Sequence, residues 1–123
     1  MKNVLIVDKD LGFLFWLGEV LAGAKYQPWP ACTAADAISL MGSKRTVPLD
    51  LLIVDASLRG ASRLIDHFRR NRTKLKVIAV DGHSKLLRGV DAWSEKPDPA
   101  NARERQKWLR AVDRMLSGYK RAA

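Results

Sequence analysis

Six residues of this chain have types and positions that suit joint chemistry: Asp8, Lys9, Asp10, Asp55, Asp81 and Lys96. Asp8, Asp55 and Asp81 each close a short apolar run, at residues 4–7, 51–54 and 77–80, and Lys96 follows a fourth short run at 91–94. Carboxylates gathered at one sheet edge repel one another unless a divalent cation or an ammonium sits among them. A hard cation such as magnesium accepts Asp oxygens and keeps positions for water and phosphate. A carboxylate beside it is a nucleophile toward a phosphoryl group. Asp55 is the centre of this expectation, because ligand chemistry in open α/β sheets lies just beyond the carboxyl ends of buried strands.

The elements that must position these residues follow from the spacing of apolar side chains. Asp50-Leu51-Leu52-Ile53-Val54-Asp55 and Asn3-Val4-Leu5-Ile6-Val7 are short, continuous and partly β-branched, which predicts strands buried on both faces of a parallel sheet. Residues 11–25 predict a helix capped by Asp10. Phe13, Phe15 and Trp16 widen its apolar face, so burial and a docking surface for a partner are both open. Residues 26–32 hold Pro28 and Pro30 around Trp29, compatible only with an irregular edge strand, and Cys32 after it is expected to be buried. A short helix over 34–41 follows Thr33 as N-cap and stops at Gly42, and 43–48 is a loop. Further helices are expected over 61–70 and 100–118, and strands over 76–80 and 91–94. This alternation predicts an α/β fold with a five-stranded parallel sheet and helices on both faces.

Composition bounds the class. One domain over residues 1–123 is expected, 47% hydrophobic and 28% charged, as in ordinary globular chains. A single cysteine excludes an internal disulfide and fits a reducing cytoplasm. No signal peptide is visible, and 11–24 is too short and carries Glu19, so no membrane insertion is expected. The net charge is +9, yet residues 1–43 carry Lys2, Lys9 and Lys25 against Asp8, Asp10, Glu19 and Asp36. The positive field therefore belongs to the remainder, where Arg69, Arg70, Arg72, Lys74 and Lys76 form one group and Arg103, Lys107, Arg110 and Arg114 a stripe on the last helix. His67 and His83 are isolated, and there is no Gly-rich phosphate loop, nucleophile elbow or zinc spacing, so a stand-alone enzyme is not expected.

Taken in order, Val4-Leu5-Ile6-Val7-Asp8, Asp50-Leu51-Leu52-Ile53-Val54-Asp55 and Lys96-Pro97 resemble the receiver domain of bacterial two-component response regulators over essentially the whole chain. The resemblance implies a flavodoxin-like (βα)5 three-layer sandwich. It implies Asp55 as acceptor of a phosphoryl group from a histidine kinase, Asp8 as one of an acidic pair holding magnesium, and Lys96 as the charge partner of the phosphoryl oxygens. Trp93 falls near the aromatic switch position of the last strand.

Three departures mark an atypical or pseudo-receiver. Lys9 replaces the second acid, and its ammonium is expected to pair with Asp55 in place of the metal, with Asp10 as a substitute ligand or a helix cap. Asp81 stands where the family places Thr or Ser, and a carboxylate there repels a phosphoryl group. The stretch between Asp81 and Trp93 is too short for a full fourth helix, leaving one turn at 84–88. The expected function is signalling through protein–protein interaction, with a histidine kinase or other signalling protein as partner. The alternative is a small basic adaptor that binds nucleic acid through Arg103, Lys107, Arg110 and Arg114.

Overall fold

The apolar runs that lead to Asp8 and Asp55 lie side by side. In the computed structural model, which describes residues 1–42, 47–81, 87–98 and 100–117, they form β1 (Asn3–Val7) and β3 (Leu51–Asp55). They pair in parallel from Val4↔Leu51 to Val7↔Val54, so the two acids leave the sheet at the same edge. β2 (Gln27–Ala31) flanks β1, while β4 (Lys76–Val80) and β5 (Ala92–Ser94) extend the sheet beyond β3 in the order β2-β1-β3-β4-β5.

The two-residue alternation along each strand divides the core. Val4, Ile6, Leu51, Ile53, Ile78 and Val80 face α1 (Leu11–Gly23) and the C-terminal helix α4 (Arg103–Leu116). Leu5, Val7, Leu52, Val54 and Val77 face α2 (Ala34–Gly42) and α3 (Ala61–Arg69). Both faces of the central strands are thus dry, as their unbroken apolar character requires. Each such fully buried aliphatic side chain contributes about 2 kcal/mol. That burial offsets the cost of holding two carboxylates out of water at the strand ends.

β2 is an edge strand, and its prolines explain how it survives as one. Gln27 N–H donates to Lys2 and Ala31 C=O accepts from Asp8, so the odd-numbered residues bond toward β1. Pro28 and Pro30 fall on the outer side, where a missing N–H costs no ladder bond and discourages a further strand.

The boundaries of α1 and α4 differ from expectation. α1 ends at Gly23 because Lys25, at φ 68°, turns the chain into the left-handed region. Tyr26 N–H then donates to Leu21 and Lys25 N–H to Ala22, a Schellman closure of the helix end. α1 buries Phe13, Leu14, Leu17, Val20 and Leu21 but leaves Leu11 52% and Phe15 66% exposed, so its apolar surface is wider than its core contact. α4 begins at Arg103, since Asn101 Oδ1 takes Arg103 N–H just before the first turn. Cys32 is half-buried against the α1–α4 side of the core, more exposed than expected. The turn expected at 84–88 lies mostly outside the described residues, and among the described residues no helix stands between β4 and β5.

Candidate acidic site at the carboxyl edge of the sheet

Asp8 and Asp55 stand at the carboxyl ends of the two central strands, 0% and 2% exposed. Their neighbours on the edge are loops, so the ligands of these carboxylates are local backbone groups and one long cation. Asp8 Oδ1 accepts Asp10 N–H at 2.9 Å and Lys96 Nζ at 3.1 Å. Its other oxygen, Oδ2, is buried with no hydrogen-bond partner. Burial pushes the Asp8 carboxyl above its usual range, against the lowering pull of the Asp10 N–H and of Lys96.

Asp55 is held by Ser57, whose N–H and hydroxyl both donate to Oδ1, at 2.9 and 2.8 Å. Its Oδ2 lies 3.8 Å from Lys96 Nζ. Asp10 divides its oxygens between two tasks. Oδ1 caps α1 by accepting Phe13 N–H at 3.2 Å, and Oδ2 lies 3.5 Å from Lys96 Nζ. The Phe13 N–H, followed by the Lys96 charge, holds the Asp10 carboxyl below its ordinary value.

One ammonium therefore serves three carboxylates. Burial alone would lower the Lys96 pKa, but the hydrogen bond to Asp8 and the charges of Asp8, Asp55 and Asp10 together raise it. The Phe13 ring, 5.6 Å from Nζ, adds a cation–π contact from below. Asp81 fixes the start of the Lys96 loop: its Oδ1 accepts Lys96 N–H at 3.1 Å, and its own N–H donates to Ser94. Asp81 is exposed and adopts φ 57°, a left-handed conformation that Asp tolerates and β-branched residues resist.

The structure thus gathers Asp8, Asp10, Asp55 and Lys96 into one cluster and ties Asp81 to it through the backbone. Lys9 is not part of it. It is exposed and makes no ion pair among the described residues, and the ammonium near Asp55 is that of Lys96 instead. Trp93, on β5 opposite Ala79, is 37% exposed. Sequence reasoning passed over Ser57 and Phe13. The polar residue two places after a strand-end Asp was the available signal for Ser57, since a short hydroxyl side chain readily closes such a turn. Nothing local marked Phe13, whose contact with Lys96 is tertiary.

The acids fit a divalent cation poorly as a set. The orphaned Asp8 Oδ2 is the kind of buried oxygen that a cation would satisfy. However, among the described residues no three of His, Cys, Asp and Glu stand as a metal-holding group. Asp10 already uses Oδ1 on its helix cap and Oδ2 on Lys96.

Among the described residues no helix is long and apolar enough to cross a membrane. The basic stripe Arg103, Lys107, Arg110 and Arg114 is exposed along α4. In the other basic group, Arg69 is tied to Asp91 at 2.6 Å and to Leu75 C=O, and Arg72 lies over the Phe68 ring.

Neither a family model nor a curated protein matches the sequence. Solved structures do. NtrX from Brucella abortus, in complex with ADP, superposes with a TM-score of 0.77 at 20% identity over 95% of this chain, which spans 26% of that one. A response regulator receiver domain protein from Clostridium thermocellum gives 0.76 at 14% identity, covering 95% of both chains. A CheY-like receiver domain protein from Methanospirillum hungatei gives 0.70 at 24% identity, covering 95% of this chain and 98% of that one. The fold is therefore that of response regulator receiver domains, flavodoxin-like with one parallel sheet between two helical layers.

Proposed function

We propose that this chain is a receiver-type signalling module of a two-component phosphorelay, whose acidic site is closed by its own lysine and which works by binding a protein partner. One observation supports the reading: the Lys96 ammonium lies within 3.1 to 3.8 Å of Asp8, Asp10 and Asp55, at the carboxyl edge of a sheet with the receiver fold. An internal cation already balances charge that magnesium would otherwise balance. Asp81 adds a carboxylate where a hydroxyl would have assisted a phosphoryl group. The partner is a histidine kinase or another signalling protein. Leu11 and Phe15, exposed on α1, supply apolar area for it beside the small cleft of Asp10, Trp16, Lys96 and Pro97.

Magnesium titration followed by labelling with a small-molecule phosphodonor, read by intact mass on wild type and Asp55→Asn, tests this directly. Folded protein with no magnesium response and no adduct is the expected result. A magnesium-dependent phosphoryl adduct that disappears in Asp55→Asn would establish Asp55 as a working acceptor and overturn the closed-site reading.

A second reading, a basic adaptor for nucleic acid, has its own support. The α4 stripe is exposed, and among the described residues none of its four cations is in an ion pair. Binding of a single-stranded oligonucleotide that weakens steeply with salt, and is lost in Arg103→Glu/Lys107→Glu, would favour it.

A further inference from the structure

A cleft of about 350 Å³ opens at the end of the sheet opposite Asp55, between the amino ends of the strands and the last turn of α4. Four cations line it: Lys2 ahead of β1, Arg72 and Lys74 in the loop before β4, and Lys76 at its start. Among the described residues none of the four is in an ion pair, since the cations of those pairs are Arg69 and Lys96. The dipole of α3 accounts for Arg69 and Arg70 in its last turn and cap, but not for residues beyond that turn or on other strands. Like charges brought to one cleft raise the energy of the empty protein, and a multiply charged anion relieves them together.

The rest of the cleft is not what a bare anion needs. Leu75 is 3% exposed and forms its floor with the half-buried Met115 and Leu116. Such a floor suits a flat apolar body. A single carboxylate, Asp50, enters the ring of cations. Its Oδ2 accepts Asn3 N–H at 2.7 Å, while Oδ1 has no hydrogen bond to the described residues. A carboxylate oxygen so placed can accept a hydrogen bond from a hydroxyl group of a ligand, such as a sugar hydroxyl. The volume lies within the range of small-molecule sites.

We infer that this cleft binds a nucleoside diphosphate or closely similar ligand, with phosphates on Lys2, Arg72, Lys74 and Lys76, base on Leu75, Met115 and Leu116, and ribose toward Asp50. The phosphates are held by side-chain charge, since no Gly-rich loop is present. The inference does not depend on the state of Asp55, so it survives or fails independently of the signalling reading.

Calorimetric titration of the full chain with ADP and, separately, with inorganic phosphate at fixed ionic strength tests it. Lys74→Glu/Lys76→Glu, Lys2→Glu and Met115→Gln are compared with wild type after circular dichroism has shown each to be folded. ADP should bind more tightly than phosphate. At least a tenfold loss of ADP affinity is expected in both charge-reversal variants, and Met115→Gln should weaken ADP but not phosphate. Lys74→Glu/Lys76→Glu and Lys2→Glu are surface changes, so they keep the test decisive if Met115→Gln unfolds. Absence of ADP binding overturns the inference. So does equal binding of ADP and phosphate, or a single-stranded oligonucleotide that displaces ADP with no sensitivity to Met115→Gln, which would mark a diffuse polyanion face.

Discussion

Lys96 Nζ lies 3.1 Å from Asp8 Oδ1, although 88 residues separate them in sequence. The lysine leaves the loop after β5 and crosses β4 and β3 to reach the acid at the end of β1. Removing its charge leaves three carboxylates with no shared cation. Lys96→Met should therefore lose about 2 kcal/mol at neutral pH, between the values of an exposed and a buried pair. Urea unfolding measures it, and the loss should shrink in mild acid as Asp8 protonates. In wild type the folded pKa of Lys96 is raised, so its contribution is complete below the unfolded value of 10.5 and is lost as pH rises through the folded one. Lys96→Met should lack that alkaline decline.

Asp8→Asn is expected to stabilise the fold modestly at neutral pH, because it removes a charge whose burial costs more than the Asp10 N–H and Lys96 return. The sign follows from its raised pKa: ionisation costs more in the folded than in the unfolded chain. The gain should fade as pH falls toward the unfolded value of 3.8, where wild-type Asp8 is neutral too. A variant less stable than wild type at neutral pH would contradict this account.

Lys9→Asp should not by itself confer a magnesium response, because position 9 lies in solvent outside the acid cluster. Thermal melts with and without magnesium read this, and a magnesium-dependent rise in melting temperature confined to Lys9→Asp would show that position 9 does reach the edge.

Placing a threonine hydroxyl at position 81 should be harmful. Asp81 sits at φ 57°, and a β-branched residue there costs about 1–2 kcal/mol. Asp81→Thr is thus expected to be less stable than Asp81→Asn, which tolerates the conformation and keeps an acceptor for Lys96 N–H. Parallel denaturation curves of the two variants decide it.

Tyr26 donates its hydroxyl to Asp113, joining the loop after α1 to α4. Burial, followed by this carboxylate, pushes the phenol up to about 12 from 10.0. Between those values the unfolded phenol ionises while the folded one stays neutral, so stability falls as pH rises. Ultraviolet titration should show a late tyrosinate that is missing in Tyr26→Phe.

Much of this architecture was legible in the chain. The runs at 4–7, 51–54 and 77–80 are apolar at every position, which only a strand buried on both faces explains, and their parallel order follows from the helices between them. Prolines bracketing Trp29 placed β2 at the edge, because a central strand cannot lose those donors. Asp8 and Asp55 were identifiable as strand-end acids, and Asp10 as a cap, from position alone.

Which ammonium meets the acids was decided by the tertiary structure. Lys9 is adjacent to Asp8 in sequence, but successive residues leaving a strand diverge, and it stays in solvent. Lys96 is distant in sequence and close in space, since the sheet order brings its loop over Phe13 and the strand ends. The exposure of Leu11 and Phe15 was also a tertiary outcome, because α1 is apolar on nearly every side and only packing selects the covered face. The cleft of Lys2, Asp50, Arg72 and Met115 arose in the same way, from four segments that share one pole only once the strands are in register.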